Sequence, residues 1–479
     1  MNIFDPIFFQ ARLAPHRPAV GFPGGFVTYG QLATGASAVA LAASSVGLRQ
    51  GDLVALAIVN PMYQIMTIIA LGRLGIATLT APSRNAETYA GLNIKGYIGD
   101  KPTDIFGKVK TIVADDKWFL GKLHAKVAVP FSGVDVEPDE VCRISLSSGT
   151  TGTPKAIALT AKCMETRLSR VTINPSGIRT LSMLGLTTAW GFLIMTRTLR
   201  NGGMYCFAPI PEDVIDLCMF AQIRDIWAST DQLASLVRVQ GEKERALPAL
   251  ESVTVGGSSI SRILIAEARQ RLCKNIILTY GATETGPVAS SPSAYVPEMA
   301  GAVGYLFPWV KLEIVDEGDR SLGFDREGIV RIGGEDCVGS YLVADADSEG
   351  IFKDGWFYPG DLGILHKDGL LTIVGRTSEV INRGGVKIAP AIIEDVIKSH
   401  PAVADAGVVA VTDAKGMPQI WAGVVAKGKF SETEVLAFAR GKLGDVTPNR
   451  IIAVGALPRN QLGKILRSEL AQQLQKSSA

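Results

Sequence analysis

At 479 residues the chain exceeds what one hydrophobic core ordinarily fills, so two or more domains are expected. Its 47% apolar and 20% charged residues give the balance of a globular enzyme, and a net charge of +2 leaves no electrostatic footprint for nucleic acid. Six scattered cysteines with no CxxC pair and only four histidines argue against a zinc site or a disulfide framework, and reduced thiols make a cytoplasmic setting the default. The start, Met1-Asn2-Ile3-Phe4-Asp5-Pro6, lacks the basic region and long apolar run of a signal peptide.

In chain order, Thr28-Tyr29-Gly30-Gln31-Leu32 opens a helix that runs from Ala33 to Val46, and Gly47 stops it. Leu53 to Ile58 reads as a strand, Pro61 starts a helix reaching Gly72, and Ile76 to Thr80 reads as a further strand. The most apolar segment, Leu53 to Leu71, is interrupted by Asn60-Pro61, which suits a buried strand and core helix better than a membrane span. Alternation of this kind implies parallel sheets covered by helices. Between 81 and 139 only short apolar runs stand out, at Thr111-Ile112-Val113-Ala114 and Val127-Ala128-Val129, and they suggest strands.

Ser145 to Ile157 holds six hydroxyl residues, two glycines and Lys155 between apolar flanks, a strand, loop, strand pattern. Glycine permits positive φ and close backbone approach, so amide groups can converge on one anion; the hydroxyls add donors and Lys155 a point charge. Such a loop suits a polyphosphate, where a plain surface turn would need neither the donor density nor the lysine. It is not a Walker A loop, because no Gly-Lys pair followed by Ser or Thr occurs in it.

Ser147-Ser148-Gly149-Thr150-Thr151-Gly152-Thr153-Pro154-Lys155 resembles the phosphate-loop signature of the adenylate-forming superfamily: acyl-CoA synthetases, adenylation domains of peptide synthetases, and luciferases. The resemblance implies an α/β chain. A large N-terminal domain (1–375) of layered, mostly parallel sheets with helices carries a small β-rich subdomain. A hinge (376–379, at Ser378) then leads to a small mobile α+β C-terminal domain (380–479). It further implies that Ser147 to Thr153 and Lys155 contact ATP phosphates.

Leu181 to Leu186 reads as a buried strand, followed by Thr187-Thr188-Ala189-Trp190-Gly191-Phe192 entering a helix. Family members usually place His or Phe there to wall the carboxylate pocket; here Thr188, Trp190 and Gly191 stand there. No Asp or Glu occurs between Glu165 and Glu212, whereas amino-acid-activating relatives commonly offer an Asp in this region; a buried ammonium without a counter-charge is costly. With Trp190 and Phe192, this favours an acid with an uncharged aliphatic or aromatic tail.

Leu250 to Ile260 is a strand ending in Gly256-Gly257-Ser258, which in the family lies against adenine. The strand Ile276-Ile277-Leu278-Thr279 leads into Tyr280-Gly281-Ala282-Thr283-Glu284-Thr285-Gly286, resembling a second signature. There Tyr280 would stack on the purine, Thr283 would donate to the α-phosphate and Glu284 would hold Mg²⁺. Residues 310 to 375 are β-rich, and Tyr358-Pro359-Gly360-Asp361-Leu362-Gly363 resembles a third signature, with Asp361 accepting both ribose hydroxyls. Arg376 would contact ribose or phosphate. Ser378 stands where the family usually has Asp or Lys at the hinge, and Gly384-Gly385-Val386-Lys387 resembles the loop that meets coenzyme A.

From Ile388 the pattern is helix (390–399), strand (404–411), strand (420–425), helix (432–442). It ends in Pro458-Arg459-Asn460-Gln461-Leu462-Gly463-Lys464, a fourth match that nominates Lys464 as the catalytic lysine. The function implied is ATP-dependent formation of acyl-AMP, then of a thioester, with ATP, Mg²⁺ and coenzyme A as the small molecules. A free-standing enzyme loading a free carrier protein, and a nucleotide-binding homologue without activity, are the alternatives. No nucleic-acid partner and no membrane span are expected, and base rates give a monomer or homodimer.

Overall fold

Strand Leu53–Ala57, helix Pro61–Arg73 and strand Ala77–Thr80 form a β-α-β unit, and the helix starts where Asn60 accepts a bond from the Met62 amide and proline occupies the first turn. The computed structural model describes residues 2–81, 85–130, 132–147, 155–170, 177–208, 210–241, 247–297, 299, 301–343, 350–379, 381–383, 386–412, 418–459 and 465–477. The helix after Thr28 is Tyr29–Ser45, opened by a full capping box between Thr28 and Gln31. Among the described residues no helix is long and apolar enough to cross a membrane.

The described strands form two large sheets. One runs, in spatial order, Lys110–Val113, Ile94–Gly99, Leu53–Ala57, Ala77–Thr80, Val141–Ser147 and Lys155–Thr160, parallel throughout except for the last pair. The other carries a parallel run, Pro18–Phe22, Met204–Cys206, Arg179–Ser182, Asp225–Ser229, Ser252–Gly256 and Ile276–Ala282, and continues into antiparallel strands out to Leu370–Arg376 and beyond. Helices Tyr29–Ser45, Pro61–Arg73 and Ala189–Arg200 lie in one buried cluster with Val54, Leu56 and Ile98 of the first sheet and Val20, Tyr205 and Trp227 of the second. Helix Pro61–Arg73 is accordingly buried from Met62 to Arg73 and mostly apolar, with Gln64, Thr67 and Arg73 the polar members. The chain is an α/β protein of layered sheets with a β-rich portion and a small C-terminal unit.

Two expected strands differ. None forms over 127–129, where Pro130 removes a donor and the Arg73 guanidinium takes the Pro130 carbonyl. The strand expected over 181–186 is Arg179–Ser182, because the chain leaves the sheet to build the cap of the following helix.

After Arg376 a 3₁₀ turn, Thr377–Glu379, occupies the expected hinge. The expected helix, strand, strand, helix appear as Pro390–Lys398, Val403–Thr412, Pro418–Ala426 and Glu432–Leu443. Two further elements complete the unit. Strand Arg450–Ala453 runs parallel to Pro418–Ala426, and helix Arg467–Lys476 buries Leu470 and Leu474 against the second face of the sheet. Alternation along Val403–Thr412 explains the two faces: Ala406 and Val408 pack under one pair of helices, Val409 and Val411 under the last helix.

Candidate active site

Neighbouring parallel strands Arg179–Ser182, Asp225–Ser229, Ser252–Gly256 and Ile276–Ala282 end at the same edge, with Ser182 near Trp227, and Ser229 opposite Gly256. Ligands of α/β sheets gather beyond the carboxyl ends of such strands. Thr188, Trp190, Gly256, Gly257, Ser258, Tyr280, Thr283 and Glu284 all follow those ends in the chain.

Strand Ile276–Ala282 turns back through Thr283-Glu284-Thr285 into strand Gly286–Pro292, with Ala282 opposite Gly286. The Thr283-Glu284 pair of the second signature is therefore the tip of a three-residue hairpin, and Gly286 takes φ +67°, the left-handed conformation that such a turn needs. The turn is held from behind by Arg167 of helix Ala161–Arg170. Its guanidinium donates to the carbonyls of Thr283 (3.0 Å), Glu284 (3.1 Å) and Asp336 (2.8 Å). Nothing in the local pattern of Arg167 marks it; a buried arginine on the helix after the phosphate loop is the only signal the sequence offers.

Glu284 is 6% exposed and its Oε1 accepts from the Tyr341 hydroxyl at 2.8 Å. Among the described residues no Lys or Arg forms an ion pair with it. Asp361, 5% exposed, is the opposite case. The Tyr280 hydroxyl donates to its Oδ2 at 2.5 Å, and the Arg376 guanidinium pairs with its Oδ1 at 3.0 Å. Asp361 and Arg376 face each other across paired strands, and Arg376 also donates to the Pro359 carbonyl. Burial, with the charge of Asp361 added, pushes the Tyr280 hydroxyl far above the ordinary tyrosine range, so it stays protonated and donates. Asp361 thus has a cationic partner and is suited to neutral hydroxyl donors, whereas Glu284 has no ion-pair partner among the described residues, a setting that a bound cation would complete. No group of three or more metal-ligating side chains occurs among the described residues. Mg²⁺ on a polyphosphate takes few protein ligands and shares its shell with phosphates, which suits a lone carboxylate such as Glu284.

Gly257 takes φ +95° with open space where a Cβ would stand, so the turn after Ser252–Gly256 presents bare backbone. The Ser258 carbonyl accepts from the Thr230 hydroxyl at 3.3 Å, tying this turn to helix Thr230–Gln240.

Thr188, Trp190 and Gly191, expected at the wall of the carboxylate pocket, each take a local part in the turn and helix that follow Arg179–Ser182. The Thr188 hydroxyl caps helix Ala189–Arg200: it accepts from the Gly191 amide at 2.9 Å and donates to the Gly185 carbonyl at 2.9 Å. A Cβ at Gly191 would stand 2.3 Å from the Gly185 carbonyl oxygen and 2.7 Å from that of Leu184. Both residues are therefore used by the turn itself, and Trp190, tilted 53° against Trp227 at 5.6 Å, is the aromatic surface they present. Gly191→Ala is expected to destabilise the protein by about 1–3 kcal/mol. Urea unfolding measures this, and an unchanged midpoint would show that the 184–188 turn yields freely.

The phosphate-loop residues Ser148, Gly149, Thr150, Thr151, Gly152 and Thr153 lie outside the described residues, as do Gly384, Gly385 and Lys464. The structure does describe the flanking strands, which pair Ser147 with Lys155 in antiparallel register, and it pairs Asn382 with Lys387 in the hairpin around 384–385. Lys155 is 7% exposed, with its Nζ 5.3 Å from the centre of the Tyr341 ring. Ser378 lies in the 3₁₀ turn Thr377–Glu379. Arg459, which precedes the segment carrying Lys464, reaches back to the first unit: it pairs with Asp405 at 2.6 Å and with Asp231, in the first turn of helix Thr230–Gln240, at 3.8 Å.

A family model described as AMP-binding enzyme matches residues 7–342, and one described as AMP-binding enzyme C-terminal domain matches 392–464. The chain is 28% identical to a 2-succinylbenzoate–CoA ligase of Bacillus cereus (strain Q1) over 472 residues, 97% of each chain. Its fold is similar to that of o-succinylbenzoate CoA synthetase from Bacillus subtilis in complex with its acyl-adenylate intermediate (TM-score 0.84, 24% identity, 97% of each chain). It is also similar to that of ATP-bound MatB from Rhodopseudomonas palustris (TM-score 0.86, 23% identity, 100% of each chain).

Proposed function

Because the chain belongs to the AMP-binding enzyme family, we propose that it joins a carboxylic acid to coenzyme A in two steps, through an acyl-adenylate made from ATP. The observation that carries this reading is a contrast between two buried carboxylates: Asp361, joined to Tyr280 of the strand that leads to Glu284, is paired with Arg376, and Glu284 has no ion-pair partner among the described residues. That is the division of labour that ribose and a phosphate-bound cation require. The 2-succinylbenzoate–CoA ligase that matches over 97% of each chain supports an acid–thiol ligase class.

In the first step a carboxylate oxygen attacks the α-phosphorus of ATP, and the bond to the bridging oxygen breaks as pyrophosphate leaves. Nucleophile and target are both anionic, so the chain supplies positioning and positive charge rather than a side-chain nucleophile. Lys464 bridges the carboxylate and the α-phosphate, and the Thr283 hydroxyl donates to the same phosphate. Residues 147–155 hold the β- and γ-phosphates. Glu284 would hold the Mg²⁺ that arrives with ATP, and that ion would supply positive charge to the phosphates. Asp361 accepts the ribose hydroxyls beside Arg376, while Tyr280, Gly281 and Ala282 on one side and Gly256, Gly257 and Ser258 on the other flank adenine.

In the second step the thiol sulfur attacks the acyl carbon, the bond to AMP breaks with its electron pair, and the thiol proton passes to solvent. The unit after the hinge at Ser378 turns between steps, withdrawing Lys464 and presenting Gly384, Gly385 and Lys387 to the thiol. This reading takes 1–375, 376–379 and 380–479 as domain, hinge and domain.

The tilted pair Trp190 and Trp227, with no acid between Glu165 and Glu212, supports an acid with an uncharged aliphatic or aromatic tail. A panel of straight-chain, branched, aromatic, amino and dicarboxylic acids, scored by pyrophosphate release, tests it. Turnover with uncharged tails and thioester formation with free coenzyme A are expected. Preference for amino or dicarboxylic acids would overturn the tail assignment. Thioester formation on a carrier protein alone would reassign the acceptor. No pyrophosphate exchange with any acid would end the ligase reading.

A further inference from the structure

Tyr341 is the one described side chain found in contact with both polyphosphate candidates, Lys155 and Glu284. Its hydroxyl donates to Glu284 Oε1 at 2.8 Å across 57 positions of sequence, and Lys155 Nζ stands 5.3 Å from its ring centre. The segment around it is pinned at both ends to the same two elements. The Val338 amide donates to the Glu284 carbonyl at 2.8 Å, and the Leu342 amide donates to the Ala156 carbonyl, next to Lys155, at 3.0 Å. The ring rests edge-on against Phe352 at 5.1 Å, and Phe352 in turn lies 5.3 Å from Phe357. A neutral donor orients a carboxylate without cancelling its charge, which a lysine or arginine in the same place would do. A cation over an aromatic face is attracted by the ring, which helps fix where Lys155 stands.

We propose that Tyr341 is a positioning residue that aims the Glu284 carboxylate at the phosphate-bound cation and holds Lys155 beside it. This rests on the ligase reading for the identity of the cation's carrier, Mg-ATP. Its hydroxyl governs cation affinity; its ring governs the lysine and the packing of the segment.

Tyr341→Phe separates the two, because it keeps the ring and removes only the hydroxyl. With a non-hydrolysable ATP analogue, Mn²⁺ binding followed by electron paramagnetic resonance is expected to weaken by about 10-fold, the low end of what losing an outer-shell partner of a metal ligand costs. The Mg²⁺ needed for half-maximal pyrophosphate exchange should rise in step, with the rate at saturating Mg²⁺ largely restored. Transfer of a supplied acyl-AMP to coenzyme A, which uses no metal, should not change. Tyr341→Leu should add a raised KM for ATP, through loss of the ring under Lys155.

Unchanged Mn²⁺ affinity in Tyr341→Phe would overturn the proposal. So would a loss equal in both half-reactions and insensitive to Mg²⁺, since that marks a merely structural tyrosine. If the unaltered protein binds Mn²⁺ with the analogue but exchanges pyrophosphate with no acid, the ligase reading fails while the Mn²⁺ comparison still decides the role of Tyr341.

Discussion

Lys464→Ala is expected to lower acyl-AMP formation by about 10²–10³, the usual cost of removing one preorganised charge from a developing transition state. It should leave the transfer of a supplied acyl-AMP to thiol close to normal. The physical reason is that only the first step brings two anions together. Once the adenylate exists, the leaving group is built in and the thiol is the only partner to place. Lys464 follows Arg459 by five positions, and Arg459 is shared between Asp405 of its own unit and Asp231 of the first. Asp231 begins the helix whose Thr230 holds the Ser258 carbonyl. Arg459 is therefore anchored beside the turn assigned to adenine. Burial pushes the Asp231 carboxyl up, while Arg459 pulls it down. Separate assays of the two half-reactions check the prediction, and equal loss in both would overturn the two-step use of one mobile lysine.

Asp361→Ala is expected to raise KM for ATP by one to two orders of magnitude, with a smaller fall in kcat. The ribose is bound alike in ground and transition states, so its loss removes uniform binding. The same substitution strands the Tyr280 hydroxyl and the Arg376 guanidinium, which now both meet Asp361. Removing one partner of a buried pair costs about 3–5 kcal/mol, and Arg376 keeps some access to water, so the lower end applies. Asp361→Asn should fall between: it can still accept from Tyr280 and one ribose hydroxyl, but it no longer balances Arg376. Steady-state kinetics against ATP with denaturant unfolding of both variants measures the two effects. A rise in KM without loss of stability would show that Arg376 relaxes to solvent, and an unchanged KM would remove Asp361 from the ribose site.

Much of the architecture was readable because its signals are local. Thr28 and Gln31 announce a capping box three positions apart, and the structure forms it. Asn60-Pro61 marks a helix start by an amide acceptor and a fixed φ, and the helix begins there. Gly257 needs a left-handed conformation, which a Gly-Gly turn advertises. Less was readable where neighbours decide. The last helix, Arg467–Lys476, is polar overall, and it is held by Leu470 and Leu474, buried on Gly407 and Gly423, together with Arg467, which pairs with Glu379 and Glu394. Its stability is a tertiary fact that composition hides.

The candidate site divides the same way. The sequence by itself determined which chemical types stand in the motifs, Lys155, Tyr280, Glu284, Asp361 and Arg376 among them, because each motif is a contiguous run whose order is preserved in the chain. The tertiary structure alone decided what those groups do to one another. It made Thr283 and Glu284 the tip of a hairpin and put Arg167, 116 positions from Thr283, behind it. It joined Tyr280 to Asp361 across 81 positions, and Tyr341 to Glu284 across 57. It also made Thr188 a helix cap and Gly191 a close backbone contact. Contacts at such separations follow no period and no spacing. They arise when strands far apart in the chain become neighbours in one sheet, and only there does Asp361 acquire its counter-charge from Arg376 and Glu284 its hydroxyl donor from Tyr341.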